Sequence, residues 1–437
     1  MEAALLRAPC LGAVGQAAKR WTSTVGMAHI LIAAINYWPE PSGNAPYTTG
    51  LAEHLAKSGH DVSVITGFPH YPAWRVDAAY RGGLRRREVI AGVEVIRRRH
   101  YVPARQSVIG RGAYEATFLF HGLLLRLDPP DVVVGVIPSL SGGALARIFS
   151  ARWHIPYGII AQDLMGQAAE QSGIAAGGRV AGGVSRLEKW VLRRARAVGV
   201  VSGSFVPYVR SLGVPERRIV DLPNWVVRPG VNVTVAETRQ RLGWGSEQIV
   251  LHAGNMGLKQ GLEQVLDAAK VAATSAPHVR FVMMGDGNQR ESLRRAAAAL
   301  PNVQFLPSQS DRDYASALAA ADVLLLSERS TVADMSLPSK LTSYCAAGRP
   351  IVAAVRHNGA TEAEIERSGA GLVVPAGDPA ALLRAIASLA ADPPLAARLA
   401  DAGTRYASTA LGSCEGLERG RRFVEGLLAP APAKEAA

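Results

Sequence analysis

The sequence predicts an α/β protein of two Rossmann-like domains facing across a cleft. Three observations predict it. Short apolar runs alternate with helix-like stretches from Met27 onward, the pattern of βαβ units on a parallel sheet. The run Leu222-Pro-Asn-Trp-Val-Val-Arg-Pro-Gly230 reads as a linker, and the alternation starts afresh after it. The chain has 437 residues, 48% of them hydrophobic, which is enough for two full cores and too long for one typical domain.

Taken in order, residues 1–26 come first. Glu2 near the start and a broken apolar run make them a poor signal peptide, whereas the stretch from Met27 opens directly into a strand. Residues 1–26 are read as a disordered or non-native extension, with Met27 as the natural first residue. Within the first domain, 27–224, apolar runs predict strands at 29–35, 61–66, 93–97, 131–136, 156–161 and 197–202. Helices are expected at 47–58, 112–126, 141–152, 183–196 and 204–212. The second domain, 225–412, has strands expected at 249–253, 279–284, 303–306, 322–327, 350–355 and 371–374, with helices between them. Residues 413–428 form a last helix able to pack back on the first domain. Residues 429–437 are a disordered tail rich in Pro and Ala. No run of about 20 apolar residues is present, so no transmembrane helix is predicted.

Charge is uneven. Residues 27–224 carry 23 Lys and Arg against 14 Asp and Glu, whereas 225–437 carry 22 against 21. The excess gathers at Arg81, Arg85, Arg86, Arg87, Arg97, Arg98 and Arg99. A membrane surface or lipid-phosphate acceptor is the first reading of this patch, and a merely solvated face the second. Nucleic acid is set aside, because no recognisable module or interleaved aromatic residues accompany the arginines. The cysteines Cys10, Cys345 and Cys414 are widely spaced and form no metal pattern or disulfide framework, which fits a reducing compartment.

The loops after strands hold the candidate chemistry, since ligands in such sheets bind outside the carboxyl ends of the strands. The stretch Ile249–Leu266 reads as strand, glycine-rich turn and helix. Gly254, Gly257 and Gly261 permit close backbone approach, free N–H groups are expected at the helix start, and Lys259 adds a positive charge; a phosphate suits this arrangement. An ordinary strand–helix turn is the alternative. Gly43 and Asn44 follow the first strand and could approach a phosphate or sugar. Gln162 and Asp163 follow another strand, where Asp163 could bond sugar hydroxyls or simply cap a helix. Gly285 and Gly287 flank Asp286 and could admit a ribose or ring. Pro338 suits a first helical turn. Ser339 then offers a hydroxyl, Leu341 and Thr342 offer backbone N–H groups, and Lys340 supplies a cation; with Lys259 this would clamp a diphosphate. Asp311 and Asp313 match a metal-binding Asp-x-Asp, but they stand where acidic residues favour a helix start and no other ligands cluster beside them, so no metal is assigned.

These motifs occur in a particular order: Pro39-Glu-Pro-Ser-Gly-Asn44, Leu222-Pro-Asn224, Gly254-Asn-Met-Gly-Leu-Lys-Gln-Gly261, Gly285-Asp-Gly287 and Pro338-Ser-Lys340 ahead of Ala347-Gly-Arg-Pro350. In that order the chain resembles the retaining glycosyltransferases of family four, which have the GT-B fold, and within them the colanic acid and exopolysaccharide fucosyltransferases. The resemblance spans about 27–423. It implies a nucleotide-diphosphate sugar donor such as GDP-fucose or a UDP-sugar, a lipid-linked or oligosaccharide acceptor, no cofactor and no metal. By position it assigns donor contacts to Gly43, Gln162 and the turn 254–261. The backbone at Leu306 and Pro307 is assigned to the nucleobase, and 339–342 to the diphosphate. Catalytic roles fall to Lys340, Lys259 and Asp163. Departures are visible too. Asn255 stands where many relatives have Arg, Gln260 where they have Lys, and Met335 and Ser343 where they have glutamates. An epimerase of the same fold and a non-catalytic nucleotide-sugar-binding protein are the alternatives. A protein working at the cytoplasmic face of the membrane is the implied setting.

Overall fold

The computed structural model describes residues 26–41, 43–104, 107–165, 178–226, 234–331 and 340–429. They divide into two compact units. One runs to Asn224 and includes the chain from Cys414 onward; the other is Trp225–Ser413. The proposed extension and tail lie outside the described residues, except for Gly26 and Ala429.

The first unit is built from β1 (His29–Ala33), α1 (Ala45–Lys57), β2 (Asp61–Gly67), β3 (Arg85–Ile90), β4 (Val93–Arg98), α2 (Val108–Leu123), β5 (Val132–Ile137), α3 (Leu140–Trp153), β6 (Tyr157–Ala161), α4 (Gly178–Arg193), β7 (Ala197–Val200), α5 (Val206–Ser211) and β8 (Ile219–Asp221). Its strands lie in the order β3-β4-β2-β1-β5-β6-β7-β8. All pairs are parallel except β3 with β4. Strands such as Val132–Ile137 are buried at every position, as a parallel sheet covered on both faces requires.

The second unit continues with α6 (Val235–Leu242), β9 (Gln248–Ala253), α7 (Glu263–Ser275), β10 (Val279–Met284), α8 (Arg290–Ala296), β11 (Val303–Leu306), α9 (Asp311–Ala320), β12 (Val323–Ser327), α10 (Lys340–Ala346), β13 (Ile351–Val355), α11 (Ala360–Ser368), β14 (Gly371–Pro375), α12 (Pro379–Ala391) and α13 (Pro393–Thr409). Its six strands are parallel, in the order β11-β10-β9-β12-β13-β14. Alternate residues of β9 feed two separate cores: Ile249, Leu251 and Ala253 enter one, Val250 the other. That is the period of two expected of a strand with helices on both faces.

The last helix, α14 (Ser413–Leu428), belongs to the first unit. It packs where β6 and β7 carry glycines. A Cβ on Gly158 would stand 2.5 Å from Leu427 Cδ1, and one on Gly199 would stand 3.5 Å from Phe423. Polar pairs fix it along α1 and at the start of β2: His54 with Glu418 at 3.6 Å and His60 with Glu425 at 3.2 Å.

Two expectations need correcting. The arginine-rich stretch at 85–87 is an edge strand, paired antiparallel with β4. Its partner Arg97 is no part of a surface patch. It is fully buried, bonded to Glu88 at 2.5 Å and to the Trp38 carbonyl at 2.6 Å, with its guanidinium 5.0 Å from the centre of the Tyr80 ring. Cys345 is a free thiol buried in the second unit.

Candidate active site

In the second unit the strand order reverses between β9 and β12. Loops leaving those strands diverge and open a crevice at their carboxyl ends. Its floor is backbone. Gly254 has φ +135° and Gly285 has φ +132°, values that L side chains rarely tolerate. A Cβ on Gly285 would lie 2.0 Å from the Gly254 carbonyl oxygen, so the two turns touch main chain to main chain. Hydrogen bonds fix the stack. The N–H of Gly254 donates to Met284 at 2.8 Å, that of Met256 to Asp286 at 2.7 Å, and that of Gly285 to Leu306 at 3.1 Å.

Lys340 reaches this floor from α10. One turn further along, Tyr344 is fully buried and its hydroxyl accepts the Ala253 N–H at 2.8 Å. This pins the helix against the end of β9. Residues four apart share a helix face, so Lys340 falls beside Gly254. Its Nζ lies 3.6 Å from where a Gly254 Cβ would stand and 3.4 Å from His252 Nε2. Loss of hydration lowers the Lys340 pKa to about 8, and the Glu328 carboxylate just past β12 acts in the opposite direction. His252 is fully buried. Burial first, and Lys340 second, hold its pKa well below the usual value, so the imidazole is neutral.

The remaining candidates of this unit divide between shaping and presenting. Gln260 turns its Oε1 inward, accepting the Gly257 N–H at 3.1 Å and Asn255 Nδ2 at 3.5 Å. Asn255 and Lys259 are exposed. The Lys259 carbonyl accepts the Arg329 N–H at 3.0 Å. Ser327 Oγ donates to the Gln260 carbonyl at 2.7 Å, tying the turn to β12. A short 3₁₀ turn, Leu258–Gln260, separates the glycines from α7, which starts at Glu263. The first amides of that helix are already bonded. Gln264 donates to Gly261 at 3.2 Å and Val265 to Leu262 at 3.1 Å, while Glu263 pairs with Arg329 at 2.5 Å. The amides of Gln264 and Val265 are therefore taken at this helix start. Gly287 is locked over Met256, whose carbonyl oxygen would stand 2.5 Å from a Cβ there. Leu306 is partly buried and Pro307 exposed at the end of β11. Leu341 and Thr342 are buried in the first turn of α10. Ser339 and Met335 lie outside the described residues. Ser343 Oγ meets the Tyr314 hydroxyl at 3.1 Å. Asp313 opens α9, where it bonds Ser310 and pairs with Arg241 at 2.9 Å.

In the first unit the strand order reverses between β1 and β5. Gly43 has φ +70°, and a Cβ there would stand 3.3 Å from the Tyr71 ring. Asn44 precedes α1 but makes no side-chain capping bond. Burial first, then Asp163 and Glu40, raise the Tyr71 pKa, so these groups share one neighbourhood. Asn224 Nδ2 donates to Gln162 Oε1 at 2.7 Å. Two motifs far apart in sequence, after β6 and at the end of this unit, thus hold each other.

Sequence reasoning missed several residues that organise these loops. His252 interrupts an apolar strand, and Glu328 directly follows another; each was legible as a polar residue out of place. Glu40 is buried and accepts the N–H groups of His70 at 2.8 Å and Tyr71 at 2.9 Å, together with Asn36 Nδ2 at 2.7 Å. Burial depresses the His70 pKa although Glu40 opposes it. Only the fold brings Glu40 to residues 70 and 71.

Comparison with known proteins gives this geometry a family. Residues 42–225 match the glycosyl transferase 4-like domain, and residues 235–406 match the glycosyl transferases group 1 model. A putative colanic acid biosynthesis glycosyl transferase, WcaI of Escherichia coli K12, is 33% identical over 337 residues, covering 73% of this chain and 81% of that protein. A 2-deoxystreptamine N-acetyl-D-glucosaminyltransferase of Streptomyces fradiae is 29% identical over 222 residues, covering 48% of this chain and 50% of that one. Among solved structures, Anabaena HepE in complex with UDP-glucose superposes with a TM-score of 0.64 at 16% identity, covering 91% of this chain and 100% of that one. WaaG, a glycosyltransferase involved in lipopolysaccharide biosynthesis, does so with a TM-score of 0.64 at 17% identity over the same shares. Matched in both halves by glycosyltransferase models and along most of a 33%-identical relative, the chain belongs to the family-four glycosyltransferases of the GT-B fold.

Proposed function

We propose that this glycosyltransferase moves a sugar from a nucleotide-diphosphate donor to a growing, lipid-linked exopolysaccharide acceptor, with retention of configuration. The observation that carries the reading is the Lys340 amine, drawn out of water onto a glycine floor at the β9–β12 reversal. As the bond from the anomeric carbon to the phosphate oxygen breaks, positive charge grows on the sugar and negative charge on the diphosphate. A weakly hydrated cation fixed in place stabilises that negative charge without having to reorganise. Lys259, exposed on the same turn, adds to the potential. The acceptor hydroxyl oxygen bonds the anomeric carbon on the face the phosphate leaves, and its proton passes to the leaving phosphate oxygen.

GDP-fucose and a UDP-sugar are the donors this reading entertains. UDP-glucose occupies the HepE structure, and the name of the Escherichia coli relative points to colanic acid. In the first unit Gly43, Asn44, Gln162 and Asp163 are the candidates for sugar and acceptor contacts in this reading. No single described helix is long and apolar enough to cross a membrane; the acceptor is met by association with the cytoplasmic face.

Thermal unfolding with GDP, with UDP and with neither tests the donor site, since a ligand of the folded state raises the midpoint with its affinity. A rise with one nucleotide, and transfer reduced on the order of 10²–10³ in Lys340→Ala, are the expected results. Folded protein that responds to neither nucleotide would overturn the donor site, and full transfer by Lys340→Ala would overturn the role of the lysine.

A further inference from the structure

The first unit holds a second concave site that the transfer reaction does not use. A cavity of about 480 Å³ is lined by Arg147 of α3 and by Arg186, Lys189, Trp190, Arg193 and Arg194 of or just past α4. Spaced three, four, seven and eight residues from Arg186, the α4 residues form one stripe along the helix. Among the described residues none of these five cations has an ion-pair partner. The one acidic residue in this part of α4, Glu188, is fully buried and turned inward, accepting the Met165 N–H and the Tyr208 hydroxyl at 2.8 Å each. Five like charges around one cavity repel each other, and among the described residues no carboxylate pairs with them to offset this. A multivalent anion would.

The rim narrows the choice of anion. Leu187 is 41% exposed and Trp190 is 38% exposed beside the cations. The Arg147 guanidinium lies 4.3 Å from the centre of the Trp190 ring and donates to the Trp190 carbonyl, which holds the indole in place. Large apolar side chains next to a cationic cavity suit the headgroup layer of a bilayer, where indole sits between water and acyl chains and basic residues meet phosphate. The arginines of β3 and β4 are less suited: Arg97 is buried, and Arg86 and Arg87 already pair with Glu88 and Glu94 at 3.2 and 3.3 Å.

We propose that this cavity binds the phosphate headgroups of anionic phospholipid and seats the first unit on a membrane surface. The inference deepens the reading of a membrane-borne acceptor, but its test reads binding and not turnover, so either can fail without the other. The full chain is sedimented with vesicles of phosphatidylcholine alone and with phosphatidylglycerol added. Binding is expected only to the mixed vesicles, and to weaken as salt rises. The triple variant Arg186→Glu, Lys189→Glu, Arg193→Glu is expected to reduce the bound fraction at least about tenfold, each basic residue near the surface contributing several-fold. Arg85→Glu with Arg87→Glu is expected to change it less than about twofold. Should the triple variant misfold, Arg186→Gln with Arg193→Gln serves, with an expected loss of about fivefold or more. Undiminished binding by a folded α4 variant would overturn the proposal. So would stabilisation by inorganic diphosphate without any vesicle binding, which would make the cavity a site for a soluble anion.

Discussion

Lys340 Nζ stands 3.4 Å from His252 Nε2, two nitrogens facing each other at the end of β9. Burial keeps the imidazole neutral and draws the lysine pKa down from 10.5 to about 8. At neutral pH the amine is still mostly charged, so the folded protein holds a proton it would release more readily than the unfolded chain does.

The sign of the resulting pH dependence follows. Between pH 8 and 10.5 the unfolded chain binds this proton and the folded protein does not, so the lysine's contribution to stability rises with pH across that window. Below it the charged amine costs roughly 3 kcal/mol. Lys340→Met should therefore stabilise the ligand-free protein at pH 7 by up to about that amount, flatten this rise, and abolish the nucleotide-induced shift. Urea unfolding at pH 7 and pH 10, with and without nucleotide, checks all three; a variant less stable than the parent at pH 7 would contradict the burial cost.

Gly285→Ala places a methyl group 2.0 Å from the Gly254 carbonyl oxygen, and the backbone at φ +132° adds strain of about 1–3 kcal/mol. The two turns must part. Nucleotide affinity is expected to fall at least about tenfold, as 1.4 kcal/mol corresponds to tenfold. Isothermal titration reads the affinity, and an unchanged value would mean that the touching turns are not the floor of the site.

Tyr344→Phe leaves the Ala253 N–H without its acceptor inside the core. A loss of about 1–3 kcal/mol in urea unfolding is expected. Nucleotide affinity should fall too, because α10 loses the anchor that sets Lys340. Loss of stability at full affinity would separate the anchor from the site.

Gln162 and Asn224 should behave as a unit. With Asn224 Nδ2 on Gln162 Oε1 at 2.7 Å, either alanine substitution frees the other side chain. In a double-mutant cycle on transfer rate the second substitution is expected to add little beyond the first. Additive losses would show that the two act separately.

Arg97→Met takes one of two cations from Glu88, which keeps Arg86 at 3.2 Å, and removes the donor to the Trp38 carbonyl, at an expected cost of about 1–3 kcal/mol. Adding Glu88→Gln should recover part of it. Denaturant midpoints of the single and double variants decide this, and a harmless single substitution would refute the structural role.

Legibility from sequence was greatest where periodicity was long and apolar. The strands at 61–66 and 279–284 could be placed because they are buried along their length except at Asp61 and Arg280. The edge strand at 85–90 could not, since it opens on three exposed arginines and its Val89 is exposed as well, leaving no apolar face to advertise. Lys340 and the glycines at 254 and 285 were visible as residue types at strand and helix ends. What brings Lys340 over Gly254 is the Tyr344 hydroxyl reaching β9, a contact across 91 residues that no local pattern encodes. Arg97 was misread for the same reason. Sequence shows a charge, and only packing shows that Glu88 and Tyr80 enclose it.

The place of α14 bears on the order in which the protein can be completed. Gly158 and Gly199 are covered by Leu427 and Phe423, residues added only after the second unit has been made. The first unit leaves the ribosome first, yet a strip of its sheet stays bare while nearly 190 further residues, Trp225–Ser413, are made. The nascent chain thus carries an open apolar surface through the whole translation of the second unit, and a ribosome that stops before α14 is made releases a first unit that never closes.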